Sequence, residues 1–288
     1  MTDNIVVRTE VTDAIAVVTV DNPPVNALSH KVRAGLLGAI RAAEADPAVE
    51  AVVLRCAGRT FIAGADISEF DKPPLEPALP DVLRAIAALR KPVIAAIHGS
   101  ALGGGFEVAL AAHFRVALTS AKMGLPEIRL GLIPGAGGTQ RLPRLIGVEP
   151  ALRLLLSGTP VEASQAHAMG AIDRVVETDD LLGAALGFAR TLRREGHAAV
   201  PCGGRPSALG DRERNRAVIA DLCAELERAQ GDQIAWRHLI NAVETGMEHG
   251  LDAGLAVERA AFLALRDSPQ AKALREAFFA ARRKAPQG

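Results

Sequence analysis

Little in this sequence speaks for a strongly charged or covalently stapled protein. Among 288 residues, lysine plus arginine (33) balances aspartate plus glutamate (33), so no broad basic field favours nucleic acid or an anionic membrane. Aromatic residues make up only 3%, which gives no support to base stacking on an RNA-binding surface. Cys56, Cys202 and Cys223 show no metal-like or redox-like spacing, and an odd number argues against a disulfide framework. No apolar run approaches the roughly 20 residues that a bilayer-spanning helix needs. The first ten residues, MTDNIVVRTE, have neither the basic start nor the apolar run of a secretory signal. A reducing, cytoplasmic setting is therefore expected.

Apolar material is plentiful, at 49% of the chain, enough for one large α/β domain or a main domain with a smaller appendage. The first half alternates strand-like and helix-like runs. Ile15 to Val20, Ala51 to Leu54 and Val93 to Ile97 read as buried strands. Ser29 is placed to cap a helix running to about Glu44, and Leu83 to Leu89 reads as another, ending before Lys91-Pro92. From Val148 the pattern turns helical: 151–156, 164–169, 181–194, 212–228, 233–248, 254–266 and 270–283, with one strand at 172–176. PCGGRPS, 201–207, is a breaker cluster and the expected boundary between a core, 1–200, and a helical C-terminal region, 208–288.

Three glycine-rich stretches stand out: FIAGADISEF (61–70), HGSALGGGFEVALAAHFRVA (98–117) and MGLPEIRLGLIPGAGGTQRLPRLIG (123–147). Each taken alone could be a tight turn, and an isolated glutamate is usually solvated surface. Their combination is less ordinary. Glu107 sits one turn into a helix whose other residues are almost all apolar, where an idle carboxylate would be costly. A helix from Gly104 to Ala112 advances about 13 Å, and the strand-like Phe114 to Leu118 can retrace about 16 Å. Lys122 to Leu125 can then deliver Glu127, on a Pro126 turn, near the start of that helix; the spacing permits such a meeting. GAGGTQ at Gly135 imitates a dinucleotide fingerprint, but its sixth position is Gln140 and Pro134 precedes it in place of a strand. No GxxxxGK[ST] phosphate loop occurs.

AGADI, GSALGGGFE and LPEIRLGLIPGAGGTQRLPR, in this order and spacing, resemble the enoyl-CoA hydratase/isomerase family, also called the crotonase family. NPPVNALS and RKPVIAAIHG add to the likeness, which spans roughly residues 5 to 195. The tail GLAVERAAFLALRDSPQAKALREAFFAARRK is similar to the segment that follows the hydratase/isomerase part of fused multifunctional β-oxidation enzymes. No strand plus GxGxxG follows it here, so NAD chemistry is not expected of these residues. The resemblance implies an α/β fold, a crotonase-like spiral of repeated ββα units, followed by a helical C-terminal region. It implies acyl-CoA thioester substrates, no metal, and no cofactor beyond the CoA carried by the substrate. By motif position, the N–H groups of Ala65 and Gly104 would form an oxyanion hole, and Glu107 and Glu127 the catalytic pair. Gly135, Ala63, Asp66 and Ile67 would contact water or substrate.

The implied reaction is syn addition of water across C2=C3 of a trans-2-enoyl-CoA in fatty-acid β-oxidation, giving a 3-hydroxyacyl-CoA. Enolate charge would collect on the thioester oxygen, where two fixed N–H donors stabilise it. Glu107 would act as base toward the water and Glu127 would deliver the proton to C2, the two acids titrating as a coupled pair. Retaining both glutamates favours hydration over Δ3-Δ2-enoyl-CoA isomerisation, the alternative main or second activity; a non-catalytic binding subunit is a third reading. Ser68 stands where many members carry a lysine that helps bind the CoA phosphates. His98, His113 and Cys56 read as structural, and Asn26 as a turn brace. A homo-oligomer (trimer or hexamer) and hand-over of product to a separate 3-hydroxyacyl-CoA dehydrogenase are expected; neither nucleic acid nor a membrane span is.

Overall fold

A computed structural model describes residues 5–69, 72–197, 199–201, 208–229 and 233–284. The chain opens with β1 (Val7–Thr12), β2 (Ile15–Val20) and α1 (His30–Ala45). It repeats the strand-then-helix theme with β3 (Ala51–Cys56) and α2 (Leu79–Ala88), then β4 (Val93–Ile97), β5 (Ser100–Leu102) and α3 (Gly104–Ala111). β6 (Phe114–Leu118) and β7 (Lys122–Gly124) lead through a 3-10 turn, Pro126–Leu130, into α4 (Gly138–Ile146) and α5 (Val148–Ser157). Next come β8 (Val161–Glu162), α6 (Ala163–Ala168), β9 (Arg174–Val176) and α7 (Leu181–Arg194). The C-terminal helices are α8 (Arg212–Ala229), α9 (Ala235–His249), α10 (Leu251–Arg266) and α11 (Pro269–Lys284). This is the expected α/β order of ββα units with a helical C-terminal region.

Two compact units form: Met1–Gly124 with Pro160–Pro206, and Leu125–Thr159 with Ser207–Gly288. They differ from the expected division into 1–200 and 208–288, because the segment from Leu125 to Thr159 packs with the later helices. Of the breaker cluster, residues 202–207, including Cys202, lie outside the described residues.

In the first unit, a six-stranded sheet has the order β1-β2-β3-β4-β6-β9, parallel except at the β1–β2 edge. Both faces of its inner strands are covered, which is why IAVVTV and AVVLRC are apolar almost without alternation. On one face Ile15, Ala51, Val53, Ile94, Ala96 and Val116 meet Ala185, Ala189 and Leu192 of α7. Phe114 and Phe188 add an edge-to-face contact with centroids 5.7 Å apart. α1 is started by Ser29, whose hydroxyl accepts the Val32 N–H, and buries Val32, Leu36, Ile40 and Ala43. A small second sheet, β5-β7-β8, stands where β5 leaves β4.

In the second unit, α9 and α10 pack along each other across Gly250, with α4 against both. α4 is unusual in burying polar side chains. Gln140 Nε2 donates to the Ala242 carbonyl at 2.8 Å, and Arg144 Nη2 donates to the Gly246 carbonyl at 2.7 Å. The amide of Gln140 lies so near Gly246 and Gly254 that a β-carbon at either would sit 1.7 or 2.0 Å from its Oε1. Glycine at both places makes room for it.

Candidate active site

The three glycines 103–105 have separate tasks. Gly103 turns into α3 with φ +54°, a conformation that side chains resist. Gly105 lies against the backbone of Ile62, where a β-carbon would be 2.1 Å from the carbonyl oxygen. Between them, Gly104 is the first residue of α3, so its N–H has no partner within the helix.

That close approach follows from how the 60–65 segment is stitched. On one side, the Phe61 and Ile62 N–H groups donate to the carbonyls of His98 and Ser100, and the Leu102 N–H donates back to Ile62. On the other, the Ala63 N–H donates to Val25 and the Leu28 N–H donates to Gly64. These bonds carry exposed Ala65 to the mouth of α3, where a β-carbon built on Gly104 would be 3.8 Å from the Ala65 nitrogen. Among the described residues, the N–H groups of Ala65 and Gly104 donate to no protein acceptor. Two neighbouring, unengaged amides, one at a helix N-terminus, are the kind of donor pair that favours negative charge on an oxygen.

Glu107 stands in the first turn of α3 and is 3% exposed in a helix buried from end to end. The far end of α3 is fixed by buried Arg115, which donates to the carbonyls of Ala112 (2.9 Å) and Ala171 (2.8 Å) and pairs with Asp173 at 2.8 Å. A cation there and a carboxylate at the start both complement the helix dipole.

The neighbouring polar residues are local braces. Asn26, with φ +52°, donates to the carbonyls of Ala57 and Thr60 and accepts the Asn22 N–H. Asp66 Oδ1 accepts the Ser68 N–H at the 3-10 turn Ile67–Glu69. The His98 Nε2 lies 3.0 Å from the Gly58 carbonyl oxygen, and burial holds this imidazole below its ordinary pKa. His113 Nδ1 accepts the Val93 N–H, and burial pushes the Cys56 thiol well above the usual range, which suits core rather than nucleophile.

Glu127 and Gly135 belong to the second unit. Half-buried Glu127 lies in the 3-10 turn that Pro126 opens and Gly131 closes, and this turn is backed by α5 and α11. A β-carbon on Gly131 would come 2.9 Å from Leu274, and one on Gly135 would meet the ring of Phe262 at 2.4 Å.

Arg33 and Glu258 are among the buried charged residues that escaped the motif reading. Arg33 looks like the polar side of α1, yet it is 9% exposed. It donates to the carbonyls of Leu28, Leu75 and Pro77 and to Glu69 at 2.7 Å, tying down the loop that follows Ala65. Glu258 is 1% exposed in α10. The only sequence cue for either was a charge on an otherwise apolar helix stripe: Val32, Leu36, Ile40 for the first, and Gly254, Ala261, Leu265 for the second.

Comparison with known proteins agrees with this architecture. The sequence profile of the family described as Enoyl-CoA hydratase/isomerase matches residues 10–202. The peroxisomal bifunctional enzyme of Danio rerio is 43% identical over 232 residues, covering 75% of this chain and 32% of that protein. Its Homo sapiens counterpart by name is 36% identical over 276 residues, covering 96% of this chain and 38% of the other. This chain thus spans about a third to two fifths of the length of these relatives. The solved structure of a carnitinyl-CoA dehydratase from Mycobacterium avium 104 superposes with a TM-score of 0.70 at 31% identity, covering 95% of this chain and 96% of that one. On these matches, the chain belongs to the enoyl-CoA hydratase/isomerase family.

Proposed function

We propose that this chain is a hydratase of trans-2-enoyl-CoA thioesters in β-oxidation, adding water syn across C2=C3. The observation that carries the proposal is the pair of unengaged N–H groups at Ala65 and Gly104, with buried Glu107 one turn further along α3. The thioester oxygen accepts both N–H bonds. Water oxygen bonds to C3 as Glu107 takes a proton from it, and the π electrons move through C2 onto the thioester oxygen as an enolate. Collapse of the enolate forms the C2–H bond with a proton from Glu127, giving the 3-hydroxyacyl-CoA. The Gly135 N–H holds the water, while Ala63, Asp66 and Ile67 contribute to the acyl-CoA side. Each oxyanion donor is worth about 3 to 4 kcal/mol in transition-state stabilisation. General acid–base catalysis adds about two to four orders of magnitude.

The family description names isomerisation beside hydration, so the experiment offers both substrates. Crotonyl-CoA is mixed with the protein and the ultraviolet absorbance of the conjugated thioester is followed; a 3-enoyl-CoA is tested in parallel. Rapid loss of absorbance on crotonyl-CoA is expected, falling by about two orders of magnitude or more in Glu107→Gln and in Glu127→Gln. Turnover of the 3-enoyl-CoA alone would make isomerisation the principal reaction. No turnover of either would leave acyl-CoA binding as the function. A cytoplasmic setting, a homo-oligomer and hand-over to a separate 3-hydroxyacyl-CoA dehydrogenase complete the proposal.

A further inference from the structure

The run from Gly135 to Thr139 looks like an anion-binding loop in sequence, and the structure fills it from within. Glu258 of α10 accepts the Gly137 N–H on one carboxyl oxygen, and on the other it accepts the Thr139 N–H at 2.8 Å and the Thr139 hydroxyl at 2.6 Å. Gly137, with φ +108°, is the turn into α4, so the carboxylate sits at that helix's N-terminus, where the dipole favours an anion. Donors converging on both oxygens suit an acceptor-only group such as a carboxylate.

The rest of α10 completes the grip. Leu255 lies 3.1 Å from where a β-carbon on Gly137 would be, and the ring of Phe262 covers Gly135. Leu255, Glu258 and Phe262 fall on one helix face by their spacing of three and four residues. From the α4 side, Arg141 Nη1 donates to the Ala136 carbonyl at 2.7 Å. The Ala136–Gly137 peptide, one residue beyond Gly135, is thereby held at both its carbonyl and its N–H.

We infer that Glu258 is a positioning residue: as the internal anion of the 135–139 loop, it sets the direction of the Gly135 N–H. This rests on the assignment of that N–H to the attacking water, made above. The same contact occupies the Gly137 and Thr139 N–H groups, so that neither is open to an external phosphate. A carboxamide at 258 can accept on one atom only and turns an N–H toward another N–H, so it breaks the cradle while keeping its volume.

The test measures kcat and KM for crotonyl-CoA together with amide hydrogen exchange in a peptide covering 133–139. Glu258→Gln is expected to lower kcat by about ten- to a hundredfold with KM changed less than about threefold, the scale of a small misplacement of a reacting group. Exchange across 133–139 should speed up, and Glu258→Asp should recover part of the lost kcat. A folded Glu258→Gln protein with parental kcat, or with parental exchange, overturns the inference. If that variant does not fold, Thr139→Val carries the test: it removes one donor, and a kcat fallen several-fold at constant KM supports the role, whereas parental kcat overturns it. If the parent protein hydrates no enoyl-CoA, the hydratase reading fails by itself. The exchange measurement then decides alone, faster exchange supporting the loop-holding role and unchanged exchange overturning it.

Discussion

A methyl group on Gly105 and one on Gly104 would meet very different neighbours. At 105 it would press within 2.1 Å of the Ile62 carbonyl oxygen, which is itself bonded to the Leu102 N–H and has nowhere to go. At 104 it would lie 3.0 Å from the terminal methyls of Leu28 and Leu79, which can rotate away. Gly105→Ala should therefore cost about 3 kcal/mol or more in unfolding by urea, whereas Gly104→Ala should cost about 1 kcal/mol or less. Equal costs would mean that the Ile62 contact is not what fixes the approach of the two strands of chain. A run of three glycines beside a glutamate was readable as an exposed amide and a helix start, but not which glycine serves which purpose. That depends on Ile62, some forty residues earlier in the chain.

Elements were legible where their own pattern is strong. The strand Ile15–Val20 and the helix Leu181–Arg194 fall where periodicity puts them, and α1 starts after its serine cap. β1 was not marked out because its residues are mostly exposed and carry no apolar alternation, and β8 is only two residues long. α4 was hidden for the opposite reason. It buries Gln140, Arg141 and Arg144 and contains Pro143, so the usual division of polar and apolar faces is reversed, and its partners come from helices a hundred residues away. Arg33 illustrates the same blindness on α1, and its clamp is open to test. Lysine at 33 keeps the charge but cannot reach three carbonyls and Glu69 from one nitrogen. Arg33→Lys should lower stability by about 2 kcal/mol or more and speed amide exchange across residues 72–78. Parental exchange there would show that the loop after Ala65 is held by something else.

At the scale of the whole molecule, the family match ends at residue 202, yet the second compact unit draws on both 125–159 and 207–288. A chain cut after 207 would lose α9 and α10, leaving Gln140 and Arg144 without the carbonyls of Ala242 and Gly246 and the α4 N-terminus without Glu258. Buried polar groups stripped of their partners cost far more than exposed ones. Such a truncated chain should show less helix than its residues 1–207 have in the intact protein and should bind a hydrophobic dye; a compact, dye-free product would contradict this division. Motif order and likeness pick out Ala65, Gly104 and Glu107 as candidates from sequence, whereas the interleaving of the second unit was not legible, because no local pattern says that a segment will fold with residues that follow it much later. The account stands or falls on whether the amides of Ala65 and Gly104 polarise a thioester carbonyl. The most direct measurement is the vibrational spectrum of crotonyl-CoA labelled with carbon-13 at the carbonyl, bound to Glu107→Gln protein so that turnover is slowed. The account predicts a carbonyl stretch shifted to lower wavenumber than in free solution; a band left at its solution position would contradict it.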